Sequence, residues 1–226
     1  MTSKNFYKNK YKIKFPRLNY TKGVTLIELI VVILIFMIIS SITIFNYGKF
    51  RSSLSVQNLA DDIALSVRRA QGFAIGVRGS GGSFTPGYGI HLTSKSTTSL
   101  YQGSNKSFIL FTDISGEGQY NNSTSTCGNP TSNDECLELI NIITTDKIES
   151  IFKNNETTAI APTDTIDILF RRPNPEPIFC HRYGGTGACT SSISSIKIKI
   201  ATEADSSINK IITIYNNGQI SVSGSL

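Results

Sequence analysis

Apolar positions along the chain change their period twice. From Val24 to Phe45 they run almost unbroken, as VTLIELIVVILIFMIISSITIF, with eleven consecutive apolar residues from Leu29 to Ile39. A helix of this length spans about 33 Å, enough to cross a bilayer core. Farther on, Val56, Leu59, Ile63, Val67, Ala70 and Ala74 recur every three or four positions, with Asn58, Asp61, Asp62, Arg68 and Arg69 between them. That spacing makes one apolar stripe on an amphipathic helix. No proline lies between Val24 and Ser83. The two patterns therefore predict one helix from about Thr25 to about Ile75, bent near Asn46–Gly48.

After Gly76 the period shortens. A glycine-rich connector, Gly79 to Gly89, leads into candidate strands at Tyr88–Leu92, Ser107–Phe111, Leu137–Ile143, Ile166–Phe170, Ile196–Ile200 and Lys210–Tyr215. Ser195 to Ile200 alternates polar and apolar strictly, as a half-buried antiparallel strand does. Asn217-Gly218 sits between Ile211–Tyr215 and Gln219–Val222, a two-residue hairpin signal. Loops rich in Ser, Thr and Asn are expected over 121–134 and 153–165. The predicted class is α+β: a long N-terminal helix, transmembrane then amphipathic, packed on an antiparallel β-sheet domain.

Charge sharpens this division. Seven of the 22 basic residues, and none of the 16 acidic ones, lie in the first 23, so the remainder carries 15 basic side chains against 16 acidic. The sequence pI of about 9.1 thus belongs to the leader and gives no sign of nucleic-acid binding elsewhere. Basic residues ahead of the apolar helix place the N-terminus in the cytoplasm and the C-terminal domain outside. A secretory signal peptide is the competing reading, but its apolar region is shorter and a small-residue cleavage site follows it. The expected organisation is a leader over 1–23, a transmembrane half-helix over 24–45, an amphipathic half over 46–76 and an extracytoplasmic β-rich domain over 77–226.

Outside the cytoplasm, cysteines pair. Cys127 and Cys136, and Cys180 and Cys189, each enclose eight residues. Four cysteines allow three connectivities, and local pairing is the simplest. Buried free thiols are the alternative; a zinc site needs tighter spacing. Each local bridge would stabilise the domain by roughly 2.5–3 kcal/mol in the chain-entropy model.

Other residue clusters point to little chemistry. Asp113 to Tyr120, DISGEGQY, alternates oxygen-bearing side chains around glycines and is faintly similar to a calcium loop. It lacks a second aspartate and a distant bidentate glutamate, so a solvated turn is expected. Cys180-His181 would be a nucleophile pair on residue type alone, but sequence neighbours in a strand point apart. Arg171-Arg172-Pro173 reads as a solvated strand end. No catalytic cluster is evident, so no enzyme activity, cofactor or metal is expected.

The N-terminal segment is more specific. Lys22-Gly23 followed by Val24-Thr25-Leu26-Ile27-Glu28-Leu29 resembles the processing site of type IV prepilins and type II secretion pseudopilins. The resemblance implies cleavage between Gly23 and Val24 by a membrane prepilin peptidase, then N-methylation of Val24, where the family usually has Phe. Glu28 is costly in a membrane, on the order of 2.5–3.5 kcal/mol near the centre. It either snorkels to the headgroups or meets the new amine of a neighbouring subunit in a helical bundle, setting the register of assembly. Long helix, glycine-rich connector and closing hairpin together are similar to the GspH/FimT-like minor pseudopilins. The resemblance implies a structural subunit of a secretion or pilus filament. Its implied partners are the prepilin peptidase, other pilins, an inner-membrane assembly platform and membrane lipid. The alternative is a minor pilin that binds DNA or a surface. DNA-binding members carry basic residues around the hairpin glycine, where this chain has Gln219 and Ser221.

Overall fold

The structure, a computed structural model, describes residues 23–76, 78–79, 87–97, 99–122, 126–185, 189 and 192–224. The leader ahead of Gly23 and the centre of the glycine-rich connector, 80–86, lie outside the described residues. Helix α1 runs over Leu26–Ile75, 50 residues. Thr25 opens it: its Oγ1 accepts the Glu28 N–H at 3.3 Å and its carbonyl accepts the Leu29 N–H at 3.1 Å. The chain divides into two units, residues 1–46 and 47–226.

In the first unit, the described side chains of α1 are exposed almost throughout. Between Glu28 and Lys49 there is no charged residue. This helix is long and apolar enough to cross a membrane.

In the second unit, α1 continues with its apolar stripe fully covered: Val56, Ala60, Ile63, Val67 and Ala70 are all inaccessible. Among the described residues nine strands follow. They are β1 (Gly87–Thr93), β2 (Ser107–Asp113), β3 (Cys136–Asn141), β4 (Asp146–Lys153), β5 (Thr165–Arg171), β6 (Asn174–Arg182), β7 (Ser195–Thr202), β8 (Asn209–Tyr215) and β9 (Ile220–Ser223). They form a five-stranded sheet, β3-β2-β1-β5-β6, and a four-stranded sheet, β4-β7-β8-β9, with every pairing antiparallel. One core joins the helix stripe to Tyr88, Ile90, Leu110, Ile166 and Ile168 of the first sheet and Ile196, Ile198, Ile200 and Ile212 of the second. β7 keeps the expected alternation: its isoleucines are buried, and Lys197 and Lys199 lie half-buried between them. The α+β class with a long apolar helix and antiparallel sheets is therefore what the chain forms.

Two strands escape the sequence pattern, each for a local reason. β4 carries a register shift between Ile148 and Ser150, which breaks the period-two signal. β6 contains Pro175 and Pro177, which cannot donate to a ladder; it is tolerated because it is an edge strand. The last hairpin also differs from expectation. Tyr215 N–H donates to Gln219 O at 2.9 Å, so the loop has three residues, Asn216–Gly218. Gly218 supplies the left-handed residue at φ 81°, while Asn217 stays at negative φ. This is a tight turn with a glycine bulge rather than a two-residue turn.

The first sheet is covered on both faces, and its second face is the unusual one. β1 presents Gly89 there, directly opposite Phe111 of β2. A Cβ at Gly89 would sit 2.7 Å from both the Ile168 carbonyl and the Phe111 ring. Backbone and a packed ring cannot yield cheaply. Gly89→Ala is therefore expected to destabilise the domain by about 2–3 kcal/mol. A lower urea midpoint at unchanged slope would show it; an unchanged midpoint would mean Phe111 swings aside freely.

Candidate functional site

Two places in the chain gather functional side chains. The first, which sequence reasoning largely missed, is the second face of the five-stranded sheet. Ile109, Phe111, Leu169, Tyr120 and Cys136 form a small separate core on it. Beside this core, Asp167 in the middle of β5 is fully buried. Its Oδ1 lies 2.5 Å from His91 Nδ1, while Oδ2 accepts the Tyr120 N–H at 3.2 Å and pairs with Arg182 at 3.4 Å. His91 Nε2 lies 3.1 Å from the Gln102 carbonyl. Both ring nitrogens are thus committed to protein oxygens. Burial is the main force pushing the Tyr120 phenol well above its ordinary pKa, and the phenol donates to the Tyr101 carbonyl at 2.8 Å.

The segment after β2 is held by two more buried carboxylates. Asp113 pairs with Arg171 and accepts the Gly118 N–H at 3.3 Å; Arg171 also donates to the Gly116 carbonyl at 2.8 Å. Glu135 accepts the Ser115 N–H at 2.9 Å and the Asn121 N–H at 3.1 Å. The expected solvated turn holds for Ser115–Glu117 at the tip and fails at Asp113 and Tyr120, which are buried. Arg171 is likewise no idle strand end, since it pins this turn. Among the described residues, no group of three or more His, Cys, Asp or Glu is placed to hold a metal ion.

Burial, with the Asp113 charge as a smaller contribution, pushes the Glu135 carboxyl up to about 7 against the backbone N–H bonds that favour its charge. Between the unfolded value near 4.5 and about 7, the folded state holds a proton that the unfolded chain has lost. Stability from Glu135 is therefore fully present below 4.5 and is lost as pH rises through about 7. The slope of that loss approaches about 1.4 kcal/mol per pH unit. The difference in urea stability between wild type and Glu135→Gln should accordingly change between pH 5 and pH 7.5. A difference independent of pH would mean that Glu135 is already ionised at pH 5.

The cysteines are bonded Cys127–Cys136 and Cys180–Cys189, the local pairing. Cys180 is therefore no nucleophile. Its neighbour His181 is buried, with Nε2 2.9 Å from Asp164 Oδ2.

The second place is the start of α1. Gly23 has open space around its Cα. Val24 and Glu28 are both exposed, and Glu28 is the acidic residue of the first turn. Thr25 and Glu28 stand three residues apart at a helix N-terminus, the sequence of a capping box, and a negative charge there also suits the helix dipole. Glu28 thus has a local reason to be acidic in addition to any partner. Comparison with known proteins bears on this segment. No curated protein and no solved structure matches the chain. Residues 18–44 match the family model described as the prokaryotic N-terminal methylation motif. The chain therefore carries the N-terminal motif typical of type IV prepilin-like proteins, the pilins and pseudopilins.

Proposed function

We propose that this chain is a non-catalytic structural subunit of a pilus-like filament, a minor pilin or pseudopilin of a type II secretion or type IV pilus system. Prepilin peptidase cuts it between Gly23 and Val24, and the amine of Val24 is methylated. The apolar helix anchors it in the inner membrane with the leader in the cytoplasm and the β domain outside. From there an assembly platform inserts it among other pilins.

One observation carries this reading: the methylation motif over 18–44 coincides with a helix in which Glu28 is the last charge before Lys49. That uncharged stretch is about 30 Å long as a helix, the thickness of a bilayer core. An anchor alone needs the stretch but not the motif.

Co-expression with a prepilin peptidase should shorten the chain by its first 23 residues, and Gly23→Val should block this. The processed chain should then cross-link to other pilins in the membrane. A full-length intact mass after co-expression would overturn the proposal at its first step; a processed chain that cross-links to no pilin would overturn it at the second.

A further inference from the structure

Beside the Asp167 network the second unit has a cleft of about 300 Å³. Lys95, Arg182 and His91 line it, together with hydroxyl and amide groups that include Thr163, Gln102 and Asn122, and no Asp or Glu is among the described residues that line it. Among the described residues, two buried polar atoms of residues that line it, Arg182 Nε and Thr165 Oγ1, have no hydrogen-bond partner. These residues face each other directly across β5 and β6. Arg182 is nine-tenths buried, and its ion pair with Asp167 is long at 3.4 Å. A guanidinium offers five N–H donors in a fixed fork suited to carboxylate. Here Asp167 is shared with His91 and the Tyr120 N–H, which leaves donor capacity in the wall of the cleft.

We propose that this cleft binds a sugar acid. The carboxylate sits at the Arg182 and Lys95 side, and the ring hydroxyls meet the neutral hydroxyl and amide lining. A bare phosphate would use the two cations and leave that neutral lining idle. An apolar ligand would find a wall dominated by polar groups. The volume is at the small end of ligand sites and suits one sugar unit. Because the cleft lies wholly within the second unit, this binding asks nothing of the N-terminal segment.

The test is a ligand-observed NMR titration of the full-length chain in nonionic detergent micelles with glucuronate, glucose and inorganic phosphate. Glucuronate should bind saturably, and glucose about tenfold more weakly or worse, since it lacks the charge-assisted bonds. Lys95→Gln and Arg182→Gln should each weaken glucuronate by about tenfold. Thr163→Phe, at an exposed position on the cleft wall, should abolish binding by filling the space. Arg182→Gln removes a partner of buried Asp167, so it can fail to fold; Lys95→Gln and Thr163→Phe then decide. Four results would overturn the proposal: no saturable glucuronate binding by the folded wild type, equal affinity for glucose, phosphate binding as tight as glucuronate, or glucuronate binding unchanged in both Lys95→Gln and Thr163→Phe.

Discussion

Glu28→Gln is expected to leave membrane insertion and cleavage after Gly23 intact while cutting recovery with partner pilins about tenfold, the equivalent of ~1.4 kcal/mol. The substitution is informative because it separates a capping role of this side chain from the pairing expected of it in a filament. Gln serves in a capping box as Glu does, so the first turn of α1, with Thr25 Oγ1 on the Glu28 N–H, keeps its local support. The negative charge alone is lost. In an isolated subunit a carboxylate one turn into a membrane helix would reach the headgroups, so insertion should hardly depend on it. In the proposed bundle, few waters would compete with the amine of Val24 on the next subunit, and the attraction would be strong. Glu28→Val should be as poor or poorer, although valine is more favourable in lipid. The measurement is co-purification with a partner pilin at equal membrane abundance. Equal recovery of wild type and Glu28→Gln would make Glu28 a capping residue and no more.

Asp167→Ala should destabilise the β domain strongly, by about 3–5 kcal/mol. Asp167 is fully buried and gathers His91, Arg182 and the Tyr120 N–H. Its removal leaves a nine-tenths-buried guanidinium without this counter-charge and takes away one tie, the Tyr120 N–H bond, between the sheet and the segment after β2. Against a total of roughly 5–15 kcal/mol for a domain, that is a large share. Asp167→Asn keeps the shape and one acceptor, so it should fall between alanine and wild type. Urea titration would check both. A loss below about 0.5 kcal/mol for Asp167→Ala would mean that water replaces the carboxylate easily, as on a surface.

What could be read from the chain alone follows the range of the interactions. Helix α1 and strand β7 announce themselves because their burial is local and periodic: Val56 to Ala74 at helical spacing, Ile196 to Ile200 at spacing two. β4 and β6 do not, because a register shift in one and two prolines in the other erase the period. The Asp167 network is harder still. His91 and Asp167 are 76 positions apart, and Tyr120 lies 47 from Asp167. No local rule brings them together. One signal was present: Asp167 interrupts the apolar run Ile166, Ile168, Leu169, Phe170, and a charge in mid-strand demands a partner. At the other end of the chain, the methylation motif over 18–44 was legible because it is a short contiguous pattern.

The two disulfides fall on opposite edges of the same sheet. Cys136 belongs to β3 and Cys180 to β6, the outermost strands of β3-β2-β1-β5-β6. An open strand edge is a template on which a like chain can polymerise. The hazard grows with local concentration, and subunits stacked side by side in a fibre meet it at its worst. Here one edge is tethered to the segment that precedes it. The other is tethered to the segment that follows it and is interrupted by Pro175 and Pro177. In the filament proposed above, neighbouring copies would meet a five-stranded sheet whose two outer strands are each already tied to their own chain.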